Sequence, residues 1–223
     1  METRILIIAP HPDDEVLGCG ASMKKFANQG NKVFVLIMSR GTPKLYSPEK
    51  IENVRNEARE ADKILGVSDT HFLDFHAPEM DDVPLADVSR AIAEIISILQ
   101  INTLFIPHRG DIHNDHAVVF KAALVAARPV GNYTVKEIYA YETLSETEWA
   151  PPYGDDAFIP DFFVNITEEL PVKLKALQCF KSQIKDFPNP RSLENIEALA
   201  KFRGATVGFH RAEAFMTIRR IMD

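Results

Sequence analysis

The sequence predicts an α/β fold with a mostly parallel sheet and helices on both faces. Three short β-branched runs, RILIIA at 4–9, KVFVLIM at 32–38 and TLFIP at 103–107, have the continuous apolar character of strands buried on both sides. Stretches of helical periodicity separate them, and that alternation is the signature of parallel strands joined by crossover helices. The 223 residues, 46% hydrophobic and 26% charged, suffice to bury one core without disulfide staples.

Each element has a local cause. Residues 4–9 end at Pro10 and form the first strand. Residues 16–28 carry apolar side chains at helical spacing and stop at Gly30, and 32–38 form the second strand, closing a βαβ unit. Residues 49–65 read as a helix ended by Gly66, 70–73 as a short strand, 85–100 as an amphipathic helix and 103–107 as a further buried strand. After Asp115 a helix runs to about Arg128, where Pro129 ends it, and 135–142 read as a strand with alternating exposure. Residues 148–160, rich in proline, glycine and aromatics, are long for a connection and suit either a functional lid or an irregular surface loop. Residues 167–185 read as a helix with Thr167 as cap, Glu168 and Glu169 in its first turn, and Pro188 and Pro190 beyond it. Without repeats, low-complexity tracts or linkers, the expectation is one Rossmann-like domain over 1–223.

Composition excludes several classes. The formal charge of −7, from 25 Lys+Arg against 32 Asp+Glu, argues against a protein that coats nucleic acid or an anionic membrane. No apolar run reaches the roughly 18 residues of a membrane span, and the N-terminal run is cut by Pro10 and followed by acids, unlike a signal peptide. A cytoplasmic location is therefore expected, and Cys19 and Cys179, without paired spacing, read as reduced core thiols. A homo-oligomer would be unsurprising.

Two segments carry chemistry. Pro10-His11-Pro12-Asp13-Asp14-Glu15 lies at the C-terminal end of the first strand and opens a helix, where open α/β sheets place their ligands. His113-Asn114-Asp115-His116 follows the TLFIP strand in the same way. A catalytic zinc wants three nitrogen or oxygen ligands and an open fourth position, and His11, Asp14 and His116 supply such a set. Zinc lowers the pKa of a bound water to about 7 and polarises a carbonyl, which suits attack on an amide. Asp13, adjacent but not needed as a ligand, is the candidate general base. His113, if protonated, could meet the oxyanion or the leaving amine, and Asp115 could accept a hydrogen bond from an imidazole and raise its basicity. Glu15 suits either a support role or a first-turn acid favoured by the helix dipole.

Together these motifs resemble the PIG-L (LmbE-like) family of zinc-dependent N-acetylglucosamine deacetylases. His11 to Glu15 matches its first signature, and His113 to His116 its second, with Asn114 where the family usually has proline. Arg55 and Glu57 ahead of Leu65-Gly66, Ser182-Gln183, and Ala212-Glu213-Ala214-Phe215 resemble further family patterns, so coverage is nearly end to end. The resemblance implies His11, Asp14 and His116 as zinc ligands, Asp13 as base and His113 as the protonated partner. It implies a hydrolase of a non-peptide amide bond, acting on a small N-acetylated sugar conjugate. Arg55, Arg109 and Glu15 are the candidate substrate contacts.

Other signals are weaker. Gly18-Cys19-Gly20 lacks the third glycine of a dinucleotide fingerprint and suits close helix-to-sheet packing. His108, like Arg109, flanks the end of TLFIP and could face the pocket. His71, His76 and His210 read as structural or surface groups, and Tyr139 and Tyr141 as sheet packing. Arg191, Arg203 and Arg211 would recognise phosphate or a nucleotide if they converged. The competing functions are a metal-dependent phosphoester hydrolase and a sugar- or metal-binding protein without turnover.

Overall fold

The structure is a computed structural model that describes residues 3–130 and 134–222. Five strands form a parallel sheet: β1 (Arg4–Ala9), β2 (Lys32–Gly41), β3 (Asp69–Ala77), β4 (Thr103–Pro107) and β5 (Glu137–Tyr141). Two antiparallel strands, β6 (Phe162–Asn165) and β7 (Ala212–Arg220), complete it in the order β3-β2-β1-β4-β5-β7-β6. Strand alternation assigns the two faces. Ile5, Ile7 and Ala9 of β1 join the core under α1 (Asp14–Asn28), α2 (Pro48–Leu65), α5 (Leu170–Leu177) and α6 (Leu193–Thr206). Leu6 and Ile8 point the other way, into the core under α3 (Leu85–Leu99) and α4 (Asn114–Ala126). The expected α/β architecture with helices on both faces is the one observed.

Two expectations need correction, and one open alternative is resolved. The strand expected at 70–73 extends over Asp69–Ala77, because as the edge of the sheet it is half exposed and its polar residues hide an extended backbone that pairs with β2. The helix expected over 167–185 is only Leu170–Leu177. Pro171 sets its start, Thr167 turns its hydroxyl to Asn165 Oδ1 (2.7 Å) and does not cap it, and the chain leaves the helix to bury Phe180 in the core. The 148–160 segment is no lid over the cleft described below, none of whose lining residues it supplies. It is a surface loop pinned to the end of β4, where His108 Nε2 meets Asp156 O (2.8 Å) and Arg109 Nε donates to Asp155 O (3.0 Å).

Gly18 shows how tightly α1 lies on the sheet. A β-carbon there would clash with the Cδ2 edge of the Tyr141 ring, whose hydroxyl donates to Ile8 O (2.9 Å) beneath the helix. Gly18→Ala would gain up to about 1 kcal/mol of helix propensity. Moving a buried ring costs about 1–3 kcal/mol, so overpacking wins and the melting temperature is expected to fall by several degrees. A melting temperature equal to or above wild type would refute this packing account.

Candidate active site

Crossovers from β1 build the sheet towards β3, and those from β4 build it towards β5, so the sheet's switch point lies between β1 and β4. The loops leaving their C-terminal ends carry both sequence motifs. In the first, the His11 amide donates to Asp14 Oδ2 (2.9 Å), and Asp13 takes a left-handed conformation at φ 112° where it enters α1. A non-glycine residue held there costs about 1–3 kcal/mol, a strain that clusters at functional positions. In the second, His113 caps α4, its Nδ1 accepting the Asp115 amide (3.2 Å), and turns the next two residues inward.

The folded chain brings His11, Asp14 and His116 together, with one ligand atom from each inside a common 4.8 Å. Asp14 Oδ2 is 3.2 Å from His11 Nδ1 and 3.3 Å from His116 Nε2. The outer ring nitrogens are tied to carboxylates: His11 Nε2 to Asp115 Oδ2 (3.0 Å) and His116 Nδ1 to Asp111 Oδ2 (2.7 Å). Asp111 in turn accepts from the Thr147 hydroxyl (2.6 Å), and Asp115 from the Met80 amide (3.2 Å). Carboxylates so placed fix ring orientation and leave the inner nitrogens bare for a cation. Asp14 Oδ1 and His116 Nε2 are buried without a hydrogen-bond partner, which a bound cation would correct. Burial opposes charge on both imidazoles, yet the surrounding carboxylates hold His11 up at about 9 and His116 at about 10. A field that strongly favours positive charge is what a metal site needs, and this trio can hold a metal ion. The grouping of His11, His113 and Asp115 shares His11 with it and reuses atoms already paired, so the loops hold room for one ion.

Asp13 stands beside the trio, buried, with Oδ2 accepting from Arg191 Nη1 (2.7 Å). Burial pushes its carboxyl up to about 7, against the pull of the Arg191 guanidinium. Arg191 is itself held by Ser145 Oγ (2.7 Å), Gln183 Oε1 (3.2 Å) and Glu146 Oε1 (3.4 Å). The His113 ring lies 4.5 Å from that of His11, and burial, helped by the positive charge of His11, lowers its pKa. Nδ1 accepts a backbone amide, which leaves Nε2 as the ring nitrogen free to carry a proton towards the cleft. Asp13, His11, His113, Glu146 and Arg191 all border a cleft of about 540 Å³ that opens on this edge of the sheet.

Several sequence expectations change here. Asp115 does meet an imidazole with its carboxylate, as expected, and the ring is that of His11, because the turn into α4 presents only the Asp115 amide to the His113 ring. Glu15 cannot touch substrate: it is fully buried, accepts the Asp13 amide (3.0 Å), and burial with Asp62 and Asp13 nearby holds its pKa well above normal. Arg109 turns to the 155–156 loop and His108 is buried under it. Arg55 does border the cleft, with Nη2 on Leu73 O (2.7 Å) and Asp74 (2.8 Å). Arg191, Arg203 and Arg211 do not converge on a phosphate; Arg203 pairs with Glu142 (2.6 Å) and Arg211 with Glu197 (3.0 Å). Glu146 and Thr147 were missed, since lone polar residues far from either motif carry no periodic or spacing signal, and Asp111, two positions before His113, lies just outside the second motif.

Fold and site thus define a Rossmann-like α/β protein built around a two-histidine, one-carboxylate centre at its switch point. The family model described as "GlcNAc-PI de-N-acetylase" matches residues 6–127. The uncharacterized deacetylase YaiS of Escherichia coli (strain K12) is 35% identical over 184 residues, 80% of this chain and 90% of that protein. A probable N-acetyl-alpha-D-glucosaminyl L-malate deacetylase 2 of Bacillus cereus is 29% identical over 98% of this chain and 99% of its own. Among solved structures, a conserved protein from Thermus thermophilus superimposes with a TM-score of 0.80 at 25% identity, covering 99% of this chain and 97% of the other. The chain belongs to the PIG-L family.

Proposed function

We propose that the protein is a zinc-dependent hydrolase that removes the acetyl group from an N-acetylglucosamine-type conjugate, leaving acetate and a free amine. The observation that carries this reading is Asp13, a carboxylate next to the metal trio, open to the cleft and held by Arg191 and not by the trio itself. A purely structural metal site would close its fourth position with a protein group. The activities named for the relatives from E. coli and B. cereus point the same way.

His11, Asp14 and His116 would hold the ion, a nitrogen and oxygen set suited to zinc. When bound, the ion polarises the acetamide carbonyl and acidifies the attacking water. Asp13 takes the proton from that water. A carboxyl near 7 is matched to accepting and returning a proton at neutral pH. The Nε2–H of His113 faces the charge that builds on the carbonyl oxygen. As the C–N bond breaks, Asp13 returns its proton to the departing amine, so no separate cationic acid is required. Two-metal phosphoester hydrolysis fits poorly, because the trio and its overlapping group share one histidine. Cys19 and Cys179 are unpaired, which suits a reducing cytoplasm.

Acetate release from a panel of N-acetylglucosamine conjugates, followed against pH, tests the reading. Asp13 must be ionised to act, so the acidic limb should lie at or below pH 7, since a nearby cation lowers the carboxyl further. Arg191→Met removes a charge that favours ionised Asp13 and should move that limb to higher pH. Metal-loaded protein that releases no acetate from any conjugate would overturn the deacetylase assignment. An unmoved limb would remove the Asp13–Arg191 pair from the mechanism.

A further inference from the structure

The turn that follows β5 reaches both halves of the site. Because β5 pairs with β4 as far as Pro107 and Tyr141, the chain leaving it runs beside the loop that carries Asp111. The Ile112 amide donates to Glu146 O (3.2 Å) and ties the two together. The amides of Glu146 and Thr147 donate to Thr143 O (3.1 and 2.9 Å), which closes the turn. Ser145 takes a left-handed conformation at φ 73°, and its amide donates to Glu148 Oε1 (2.6 Å). A non-glycine residue keeps such a backbone only where its surroundings over-determine it. One side of this turn supports the base, since Ser145 Oγ accepts from Arg191 Nε and Arg191 holds Asp13.

Thr147 serves the other side, and its hydrogen bonds have a fixed direction. Its Oγ accepts from the Thr143 amide (2.8 Å). An amide can only donate, so the hydroxyl proton is left for Asp111 Oδ1 (2.6 Å). Asp111 Oδ2 then takes the Nδ1–H of His116 (2.7 Å), and Nε2 of that ring, buried without a partner, is turned towards Asp14 Oδ2 (3.3 Å). Among the described residues His116 and Thr147 are the two side chains that donate to the Asp111 carboxylate. A buried hydroxyl-to-carboxylate bond of this length is charge-assisted and strong. Without it the carboxylate is held only by the ring that it is supposed to orient.

We propose that Thr147 is a positioning residue for the metal centre, fixing the His116 ring through the Asp111 carboxylate. The assignment rests on His116 being a metal ligand and is independent of the substrate. Groups that orient a ligating imidazole from outside typically change metal affinity by about 10- to 100-fold when removed. Thr147 stands one bond further out than Asp111, so its effect belongs at the lower end of that range.

The test titrates metal-free wild type, Thr147→Val and Thr147→Ser with zinc in competition with a chromogenic chelator, and with cobalt(II) followed by its visible absorption. Valine keeps the shape of threonine and removes the hydroxyl, whereas serine keeps the hydroxyl. Thr147→Val should weaken zinc binding by about tenfold and alter the cobalt bands, which report the geometry of the ligands. Thr147→Ser should restore both. In an Asp111→Ala background, Thr147→Val should cost no further zinc affinity, because the path to His116 is already cut. A threonine that only supports its turn would lower the melting temperature when replaced and leave zinc affinity and the cobalt spectrum of the folded protein at wild-type values. That result, or a full effect of Thr147→Val without the Asp111 carboxylate, overturns the proposal. His116→Ala separates the two levels. Zinc retained by His116→Ala discards the ligand set, while zinc lost there and bound with wild-type affinity by Thr147→Val discards the role of Thr147 alone.

Discussion

His116→Ala is expected to strip the metal from the protein and to take hydrolysis close to background. The side chain is fully buried between Asp14 and Asp111 and belongs to the proposed three-ligand set, on a ring whose orientation Asp111 sets. Without it two ligands remain, too few for the three protein groups of a catalytic zinc site. Elemental analysis of the purified variant should show near-zero zinc where wild type should hold about one ion per chain. Acetate release should fall by at least roughly 10³-fold, corresponding to the several kcal/mol of charge stabilisation an ion contributes. Two buried carboxylates also lose the imidazole between them, so stability should drop too, by an amount of the order of 3–5 kcal/mol if the pair stays ionised. Circular dichroism therefore accompanies the measurement, and His11→Gln, at a half-buried position, gives a milder version of the same loss. A folded His116→Ala protein with a full complement of metal would exclude His116 as a ligand.

Asp13→Asn separates chemistry from metal binding. The variant should keep its zinc, because the Asp13 carboxylate pairs with Arg191 and its main-chain amide, unchanged by the substitution, donates to Glu15. Turnover should nevertheless fall by about 10²- to 10⁴-fold, a barrier increase of roughly 3–5 kcal/mol, since an amide can neither take the water's proton nor return it to the amine. Arg191 loses its 2.7 Å partner but retains Glu146, Ser145 and Gln183, so the wall of the cleft should hold its shape. Zinc content and acetate release measured on the same preparation settle the matter. Unchanged turnover would move the base elsewhere, and lost zinc would make Asp13 a ligand.

Much of this was legible along the chain because it is local. A strand buried on both faces must be an unbroken apolar run, so 4–9, 32–38 and 103–107 announced themselves, and the short strand-to-helix junctions placed both motifs on one edge. His11, Asp13, Asp14, His113 and His116 lie within two segments of four to six residues, and their clustering was visible as spacing. The antiparallel strands β6 and β7 were not seen, because their identity depends on pairing with β5 and with each other. The helix α6 was missed for a related reason: only Ile196, Ala200 and Gly204 are buried along it, too narrow a stripe to stand out.

The sequence by itself determined the layered fold and the identity of the groups able to hold a metal, since side-chain periodicity and backbone propensity act over a few residues. Only the tertiary structure decided how those groups are charged and what they face. Arg191 reaches Asp13 across 178 positions, Thr147 reaches Asp111 across 36, and Asp115 turns from the nearby His113 to His11, 104 positions away. Electrostatic free energy depends on distance in space and on exclusion of water, and neither is a function of separation along the chain. For that reason burial and the charge of His11 lower the pKa of His113, and the three arginines read as a possible phosphate site are each held by carboxylates.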